Sequence, residues 1–241
     1  MQSGLYVSLS SQLALDRRLT TLADNVANAT TVGFRATEVK FNQVISDQKI
    51  ADVAFVSEGN EFLSTRSGGL SETGGMLDFA IKGDAWFQVE TPSGPTLTRD
   101  GRFTLTEAGE LVTLNGYSVL DPGGAPIQIA VEDGPVDLSA DGQLNQNGRP
   151  IAALGLFSAD FSGGFMRAGN SGVITTIPPE PVLDRVDAGV VQGYVEESNV
   201  NAIGEMTQLI QVTRAFESIA SLIRSGEESM SEAVRVLGGS K

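Results

Sequence analysis

The side chains that most often carry out catalysis are missing from this sequence. Its 241 residues include no histidine and no cysteine, although aspartate and glutamate together number 30. Without histidine and cysteine, neither a Ser-His or Cys-His nucleophilic pair nor a thiolate metal site can form. The acidic side chains could supply the paired carboxylates of a secreted wall hydrolase, but a sequence does not show their separation. No P-loop, GxSxG, HExxH or dinucleotide fingerprint occurs, so we predict no catalytic residue, no cofactor and no metal.

One stretch has oxygen ligands at a spacing similar to that of a calcium loop. Asp141, Asn145 and Asn147 could each offer an oxygen, but Ala152 stands at the twelfth position, where such loops carry an acidic residue. We therefore expect a plain turn at this place.

The charge and hydropathy of the chain restrict its partners. The formal net charge is −14, whereas binding to nucleic acid depends on clustered lysine and arginine that neutralise phosphates. We therefore expect no nucleic-acid partner, and we assign the acidity to solubility. Hydrophobic residues make up 41% of the chain, which is enough for a folded core. No run approaches the roughly 20 apolar residues of a membrane-spanning helix, so we expect no direct membrane insertion.

Both ends of the chain have the periodicity of helices that pack along another helix. Apolar residues recur about every 3.5 positions near each end, which is typical of coiled-coil seams. At the N-terminal end they are Leu5, Leu9, Leu15, Leu19, Leu22 and Val26. At the C-terminal end they are Met206, Leu209, Val212, Phe216, Ile219, Ile223, Met230 and Leu237. Two ends that need helical partners indicate a building block of a larger structure.

Local signals mark where the helices end and where strands begin. Gly33 favours a positive φ after the first helix, and Asn201 is a suitable N-cap for the last one, with Glu205 in its first turns. Between them, short apolar runs alternate with Asn-Gly and Asp-Gly turns, as in antiparallel hairpins. The fold class is therefore α+β. The predicted parts are an N-terminal helix (1–33), an extended connector (34–75), a central β-rich domain (76–185), and a return strand with the C-terminal helix (186–241).

The first residues do not resemble a secretory signal. From Met1 to Ala14 there is no basic region, the apolar residues are spaced rather than continuous, and no A-x-A cleavage site follows. We expect a chain that either stays in the cytoplasm or is exported without cleavage. An adhesin or membrane-surface protein is a further alternative, although the polar faces of both ends lack the excess of lysine and arginine that anionic lipid attracts.

Three parts of the sequence resemble known motifs. Residues 22–35 include two asparagines three positions apart and then a Thr-x-Gly-Phe-Arg turn, which resembles the N-terminal signature of the flagellar axial proteins. Residues 193–201, 205–207 and 214–217 resemble the C-terminal signature of that family. Residues 80–87, 98–103 and 109–113 resemble the central β domain that the hook shares with the longer rod proteins. Over most of its length the chain is similar to the flagellar basal-body rod protein family.

This resemblance implies a structural subunit of the bacterial flagellar basal-body rod. The length and the single modest central domain are most similar to the proximal rod subunits, and a distal rod or hook subunit is the alternative within the family. The family implies export by the flagellar type III apparatus without cleavage, a place in the periplasmic rod, and helical assembly into the drive shaft that transmits torque. The implied partners are other proximal and distal rod proteins, copies of this chain and the export apparatus.

We predict an assembly interface from the two seams and the resembling motifs. Its residues are Leu15, Leu19, Leu22, Asn25, Val26, Asn28, Gly33, Phe34, Asn199, Met206, Leu209, Val212, Phe216, Ile219 and Ile223. Seam residues are expected to pack both within and between subunits. Asn28 is expected to end the helix by local bonding, and the resemblance favours a register-setting role for Asn25. Because Trp86 and Phe87 are adjacent in a predicted strand, we expect one in the core and the other at the surface or an interface.

Overall fold

The fold was described from a computed structural model, which covers residues 2–46, 53–57, 59–139, 142–182 and 188–239. Within these residues a long helix stands at each end, α1 (Gln2–Ala27) and α2 (Ala202–Gly238), and short strands lie between them. The predicted α+β class is confirmed. The first helix was expected from about Ser3 to Ala27 or Asn28, and α1 occupies that range.

The strands are short and follow one another closely along the chain. They are β1 (Thr37–Lys40), β2 (Gln43–Ser46), β3 (Val53–Val56), β4 (Asn60–Leu63), β5 (Leu70–Glu72), β6 (Phe79–Lys82), β7 (Phe87–Thr91), β8 (Gly94–Thr98), β9 (Phe103–Leu105), β10 (Leu111–Thr113), β11 (Ser118–Val119), β12 (Val136–Leu138), β13 (Gln143–Gln146), β14 (Arg149–Ala153), β15 (Phe157–Ser158), β16 (Phe165–Ala168), β17 (Gly172–Thr175), β18 (Glu180–Pro181), β19 (Gly189–Gln192) and β20 (Tyr194–Glu196). A 3₁₀ turn, Val131–Asp133, precedes β12.

The chain forms two compact units. The helical unit comprises Met1–Ala27, Thr37–Glu61 and Asn201–Lys241, and the central unit comprises Asn28–Ala36 and Phe62–Val200. The predicted connector (34–75) therefore contributes to both units and contains strands β1 to β5. The predicted boundary between residues 185 and 186 lies outside the described residues.

In the helical unit, α1 and α2 pack along each other in opposite directions. Asn25 near the end of α1 bonds Glu205 in the first turn of α2, and Arg18, one to two turns earlier in α1, bonds Gln208. Strands β2 and β3 form an antiparallel hairpin, and β1 and β3 contact α1. The Asn201 side chain accepts a hydrogen bond from the Gly204 amide at 3.1 Å, so the predicted N-cap is confirmed.

The central unit is built around an antiparallel sheet of seven described strands, in the order β16-β17-β8-β7-β11-β10-β9. Its main core lies around the rings of Phe79, Phe87 and Phe103, and the last two meet edge to face at 5.3 Å between centroids. A separate three-stranded sheet has the order β12-β13-β14. The predicted Asn147-Gly148 turn joins β13 to β14, with φ of 53° and 71° at its two residues, so this hairpin is confirmed.

Trp86 and Phe87 differ from the sequence expectation, because both are buried, with 3% and 0% of their surfaces exposed. Phe87 joins the main core, whereas Trp86 packs in a second cluster with Leu97 and Phe157. The expectation that one of the pair faces the surface was wrong, since apolar clusters cover both faces of the sheet at this point.

Candidate assembly interface

The predicted seam is the contact between α1 and α2 within one chain. Leu22 and Val212 are the most buried of its residues, with exposed fractions of 6% and 9%. Seven further members are half-buried, and they are Leu15, Leu19, Val26, Leu209, Phe216, Ile219 and Ile223. Leu9, Met230 and Leu237, which the periodicity also assigned to the seams, are exposed. Burial of this stripe against a second helix supplies the stability that an isolated helix lacks in water.

Asn25 holds the end of α1 against β1 and α2. Its side-chain amide donates to the Thr37 carbonyl at 2.9 Å and to Glu205 Oε2 at 3.2 Å, and its oxygen accepts from the Thr37 amide at 2.9 Å. Only 2% of Asn25 is exposed. Asn25 therefore bonds both β1 and α2.

Met206 faces away from the seam, on a second apolar stripe of α2. Ile203, Met206 and Ile210 follow one another at i, i+3 and i+7, and their exposed fractions are 80%, 49% and 54%. We call these three residues the α2 outer stripe. Sequence reasoning grouped Met206 with the seam and missed Ile203 and Ile210, although their helical spacing was readable.

A similar stripe lies on the first half of α1. Tyr6, Leu9 and Leu13 have exposed fractions of 60%, 47% and 61%, and we call them the α1 outer stripe. The same face continues with Asp16 and Thr20, which are exposed and polar. The apolar surface on this helix is therefore confined to its N-terminal half.

The last part of α2 extends beyond α1. At 1.5 Å per residue, the 26 residues of α1 span about 39 Å and the 37 residues of α2 about 56 Å. Because the two helices are antiparallel and α2 begins beside the end of α1, the excess lies at the C-terminal end of α2. Every residue from 224 to 239 is exposed, including Val234 at 71% and Leu237 at 87%. We call residues 227–238 the α2 extension.

The turn after α1 is held inside the central unit. Gly33 has φ of 70°, as predicted, and its amide donates to the Glu196 carbonyl at 2.7 Å. Phe34 is 3% exposed, and the Arg167 guanidinium lies 4.4 Å from its ring centroid. Asn28 ends α1 locally, since its carbonyl accepts from the Thr31 amide at 3.1 Å and its side chain from the Thr31 hydroxyl at 3.1 Å.

Asn199 pairs the return segment with the segment that follows Phe34. Its side-chain oxygen accepts from the Ala36 amide at 2.7 Å, and its amide nitrogen donates to the Arg66 carbonyl at 2.7 Å. The Asn199 backbone amide also donates to the Phe34 carbonyl at 3.3 Å.

A buried ion cluster, which sequence reasoning missed, lies next to this turn. Glu196 forms ion pairs with Arg35 at 3.0 Å and with Arg99 at 3.4 Å, and each of the three side chains is at most 2% exposed. Both guanidinium carbons lie over Trp86, at 5.8 Å and 5.5 Å from its ring centroid. Burial lowers the pKa of Arg99 to about 10, and Glu196 acts in the opposite direction. Because a guanidinium group keeps its proton in proteins, both arginines are charged near neutral pH.

A cleft in the central unit does not offer paired carboxylates. Its volume is about 410 Å³, and most of its lining consists of threonine, serine, asparagine and glycine. Asp100 is the acidic residue in this lining, and its carboxylate binds Arg102 at 2.7 Å. A glycosidase needs two carboxyl groups that flank the scissile bond, so this cleft lacks that arrangement.

Two further features concern metals and membranes. Over the described ranges, no group of three or more acidic, histidine or cysteine side chains is placed to hold a metal ion. Asp141, the first residue of the calcium-like spacing, lies outside those ranges. No helix among the described residues combines the length and apolar character needed to cross a bilayer.

Comparisons with known proteins match the chain in three blocks. Residues 5–35 match the family described as "Flagella basal body rod protein", residues 80–148 match "Flagellar hook protein FlgE/F/G D1 domain", and residues 191–236 match "Flagellar basal body rod FlgEFG protein C-terminal". The blocks cover α1 with its turn, the first part of the central unit, and the return strand with α2.

Curated relatives match the whole length. The flagellar basal-body rod protein FlgF of Rhizobium meliloti (strain 1021) is 64% identical over 241 residues, covering 100% of both chains. FlgF of Mesorhizobium japonicum is 54% identical, covering 99% of both chains. FlgG of Bacillus subtilis (strain 168) is 28% identical, covering 98% of this chain and 99% of its own. The chain belongs to the flagellar basal-body rod protein family, as a FlgF-like member.

Proposed function

We propose that this chain is a structural subunit of the proximal rod, within the drive shaft that carries torque across the periplasm. The observation that carries the proposal is the pair of outer stripes, which stay exposed after α1 and α2 have buried their common seam. Apolar side chains at helical spacing on an exposed face are typical of helix–helix interfaces. Heterologous contacts of this kind repeat from subunit to subunit and generate a helical assembly.

We assign the predicted interface residues two roles. The seam residues and Asn25 build the helix pair of one subunit, while Met206 belongs to the surface that neighbours cover. The α2 extension supplies further surface of the same kind, since Val234 and Leu237 are exposed by 71% and 87%. Asn28, Gly33, Phe34 and Asn199 act indirectly, by fixing the segments that flank the two helices.

The partners in this proposal are copies of the chain, other proximal and distal rod proteins, and the flagellar type III export apparatus. Export without cleavage is proposed from the resemblance of residues 22–35 to the N-terminal signature of the flagellar axial proteins. A proximal position is supported by the 64% identity to a FlgF, compared with 28% for a FlgG. Density from an intact basal body, with this chain located beside identified rod neighbours, tests that position against a distal one.

We assign no catalytic activity to this chain. A wall hydrolase would need two carboxyl groups facing a cleft, and the cleft described above has one, which is paired with Arg102. A peptidoglycan-degradation assay on the purified chain tests this assignment. Release of glycan fragments above a buffer blank would overturn it.

A pair of substitutions on α2 tests the assembly role. Ile203→Asp puts a charge on the α2 outer stripe, and Gln211→Asp puts the same charge on an exposed polar position of the same helix. Each variant replaces the chromosomal copy, and purified basal bodies are examined for rods. We expect soluble subunits from both, with rods and swimming lost only for Ile203→Asp. Normal rods from Ile203→Asp would overturn the assignment of this stripe.

A further inference from the structure

The Glu196 cluster contains more positive than negative charge. Arg35 and Arg99 contribute two cations, and Glu196 is the single anion that pairs with both. Asp84 is the other acidic residue that favours their charged forms, and its side chain is exposed. A buried charge without a partner is strongly unfavourable, so both cations depend on Glu196.

The cluster connects segments that are distant in the sequence. Arg35 donates to the carbonyls of Thr65 and Arg66, the former at 2.9 Å. Arg99 donates to the Gly83 carbonyl at 2.6 Å. Glu196 accepts from the Gly68 amide at 2.9 Å through its side chain. One carboxylate therefore joins the turn after α1, the segment 65–68, the loop after β6 and the return strand β20.

The two cations also share one aromatic surface. Both guanidinium groups lie within 6 Å of the Trp86 ring centroid, at 5.8 Å and 5.5 Å. If Glu196 were absent, two like charges would remain close together in a site with almost no water. Their repulsion would favour moving Arg35 outwards, because Arg35 lies outside any helix or strand whereas Arg99 directly follows strand β8.

We propose that the carboxylate of Glu196 holds two segments of the central unit in place. Residues 33–36 and 64–68 dock against the rest of the unit only when β20 places this carboxylate between Arg35 and Arg99. Closure of these segments thus depends on a residue close to the C-terminal end of the unit. Until β20 pairs with β5, the two flanking segments stay open while the seven-stranded sheet can already form. This conformational device is independent of the assembly role proposed above.

Hydrogen–deuterium exchange of the full chain tests the proposal with three variants. Glu196→Gln removes the anion and keeps the shape of the side chain. The double variant Glu196→Gln with Arg99→Met also removes one cation, with an unbranched side chain that fits an irregular site. Asp100→Asn is the matched control, because it removes the anion of a partly exposed ion pair in the same unit.

We expect Glu196→Gln to lose about a hundredfold of amide protection at 33–36 and 64–68, while the sheet residues 103–119 keep theirs. The double variant should regain part of that protection, because it removes the repulsion between the two cations but still leaves Arg35 without its anion. Asp100→Asn should leave the protection unchanged. If Glu196→Gln alone fails to fold, the double variant is still expected to fold. Unchanged protection in Glu196→Gln, or a double variant that is as open as or more open than the single one, would overturn the proposal.

Discussion

Replacement of Gly33 by alanine should destabilise the central unit far more than its backbone conformation alone explains. A Cβ at this position would lie 2.2 Å from the Asp100 amide nitrogen and 2.4 Å from the Arg99 carbonyl carbon. These are backbone atoms, so no side-chain rotation can relieve the overlap. The left-handed φ of 70° adds about 1–2 kcal/mol for a residue with a Cβ. With overpacking of about 2–3 kcal/mol, the expected loss is about 3–5 kcal/mol.

Gly74 provides a matched control in the same unit. Its φ is also 70°, but a Cβ there would meet nothing within 4 Å. Gly74→Ala should therefore lose about 1–2 kcal/mol, from backbone conformation alone. The difference between the two variants isolates the close approach of the turn to Arg99 and Asp100.

Urea unfolding followed by tryptophan fluorescence measures both variants. The chain has one tryptophan, Trp86, which is buried in the central unit and reports on that unit. With an m-value of about 2 kcal/mol per molar urea, we expect midpoints lowered by about 0.5–1 M for Gly74→Ala and about 1.5–2.5 M for Gly33→Ala. Equal midpoint shifts for the two variants would refute the reasoning.

Three further outcomes are expected. Asn25→Leu removes the two buried hydrogen bonds that the Asn25 side chain makes with the Thr37 backbone. This variant should lose about 2–4 kcal/mol in unfolding followed by circular dichroism at 222 nm, with impaired swimming, and unchanged stability and motility would contradict it. Asn201→Ala removes the N-cap of α2 and should cost about 1 kcal/mol by the same signal, and a stability equal to that of the parent chain would contradict the cap. Burial lowers the pKa of Arg99 to about 10, well below the ordinary value of an arginine, so above pH 10 the unfolded chain binds more protons than the folded one. The unfolding free energy relative to Arg99→Met should therefore rise with pH in urea titrations above pH 10, and a flat difference would contradict it.

The features that could be predicted from the sequence are those that depend on neighbouring residues. The range of α1, the Asn201 cap and the Asn147-Gly148 hairpin all follow from periodicity or from backbone preferences over a few positions. The family signatures at both ends are local runs of the same kind. These signals indicated correctly that the ends are helical and that the middle is made of short strands.

Features that depend on distant pairing could not be predicted. The ion cluster joins residues 35, 99 and 196, whose sequence neighbourhoods show no sign of one another. Strands β8 and β9 follow each other in sequence but lie at different places in the sheet, because β8 pairs with β7 and β17. The Asp100-Gly101 pair between them resembled a hairpin turn, yet Gly101 instead approaches the Phe79 carbonyl closely.

The division of apolar residues between seam and outer stripe was also beyond the sequence. Met206 and Leu209 are both apolar at helical spacing, and only the position of α1 decides that Leu209 is half-buried while Met206 is exposed. Periodicity gives the faces of a helix, whereas the choice of the covered face requires knowledge of the partner.

Cysteine labelling at Ile203 tests the central claim most directly, since the chain has no cysteine of its own. Ile203→Cys is treated with a maleimide as free subunit and in purified basal bodies, and each is compared with a denatured aliquot that gives complete labelling. Burial of the α2 outer stripe by neighbouring subunits predicts full reaction in the free subunit and at least about tenfold slower reaction after assembly. Equal labelling rates in the free subunit and in intact basal bodies would contradict it.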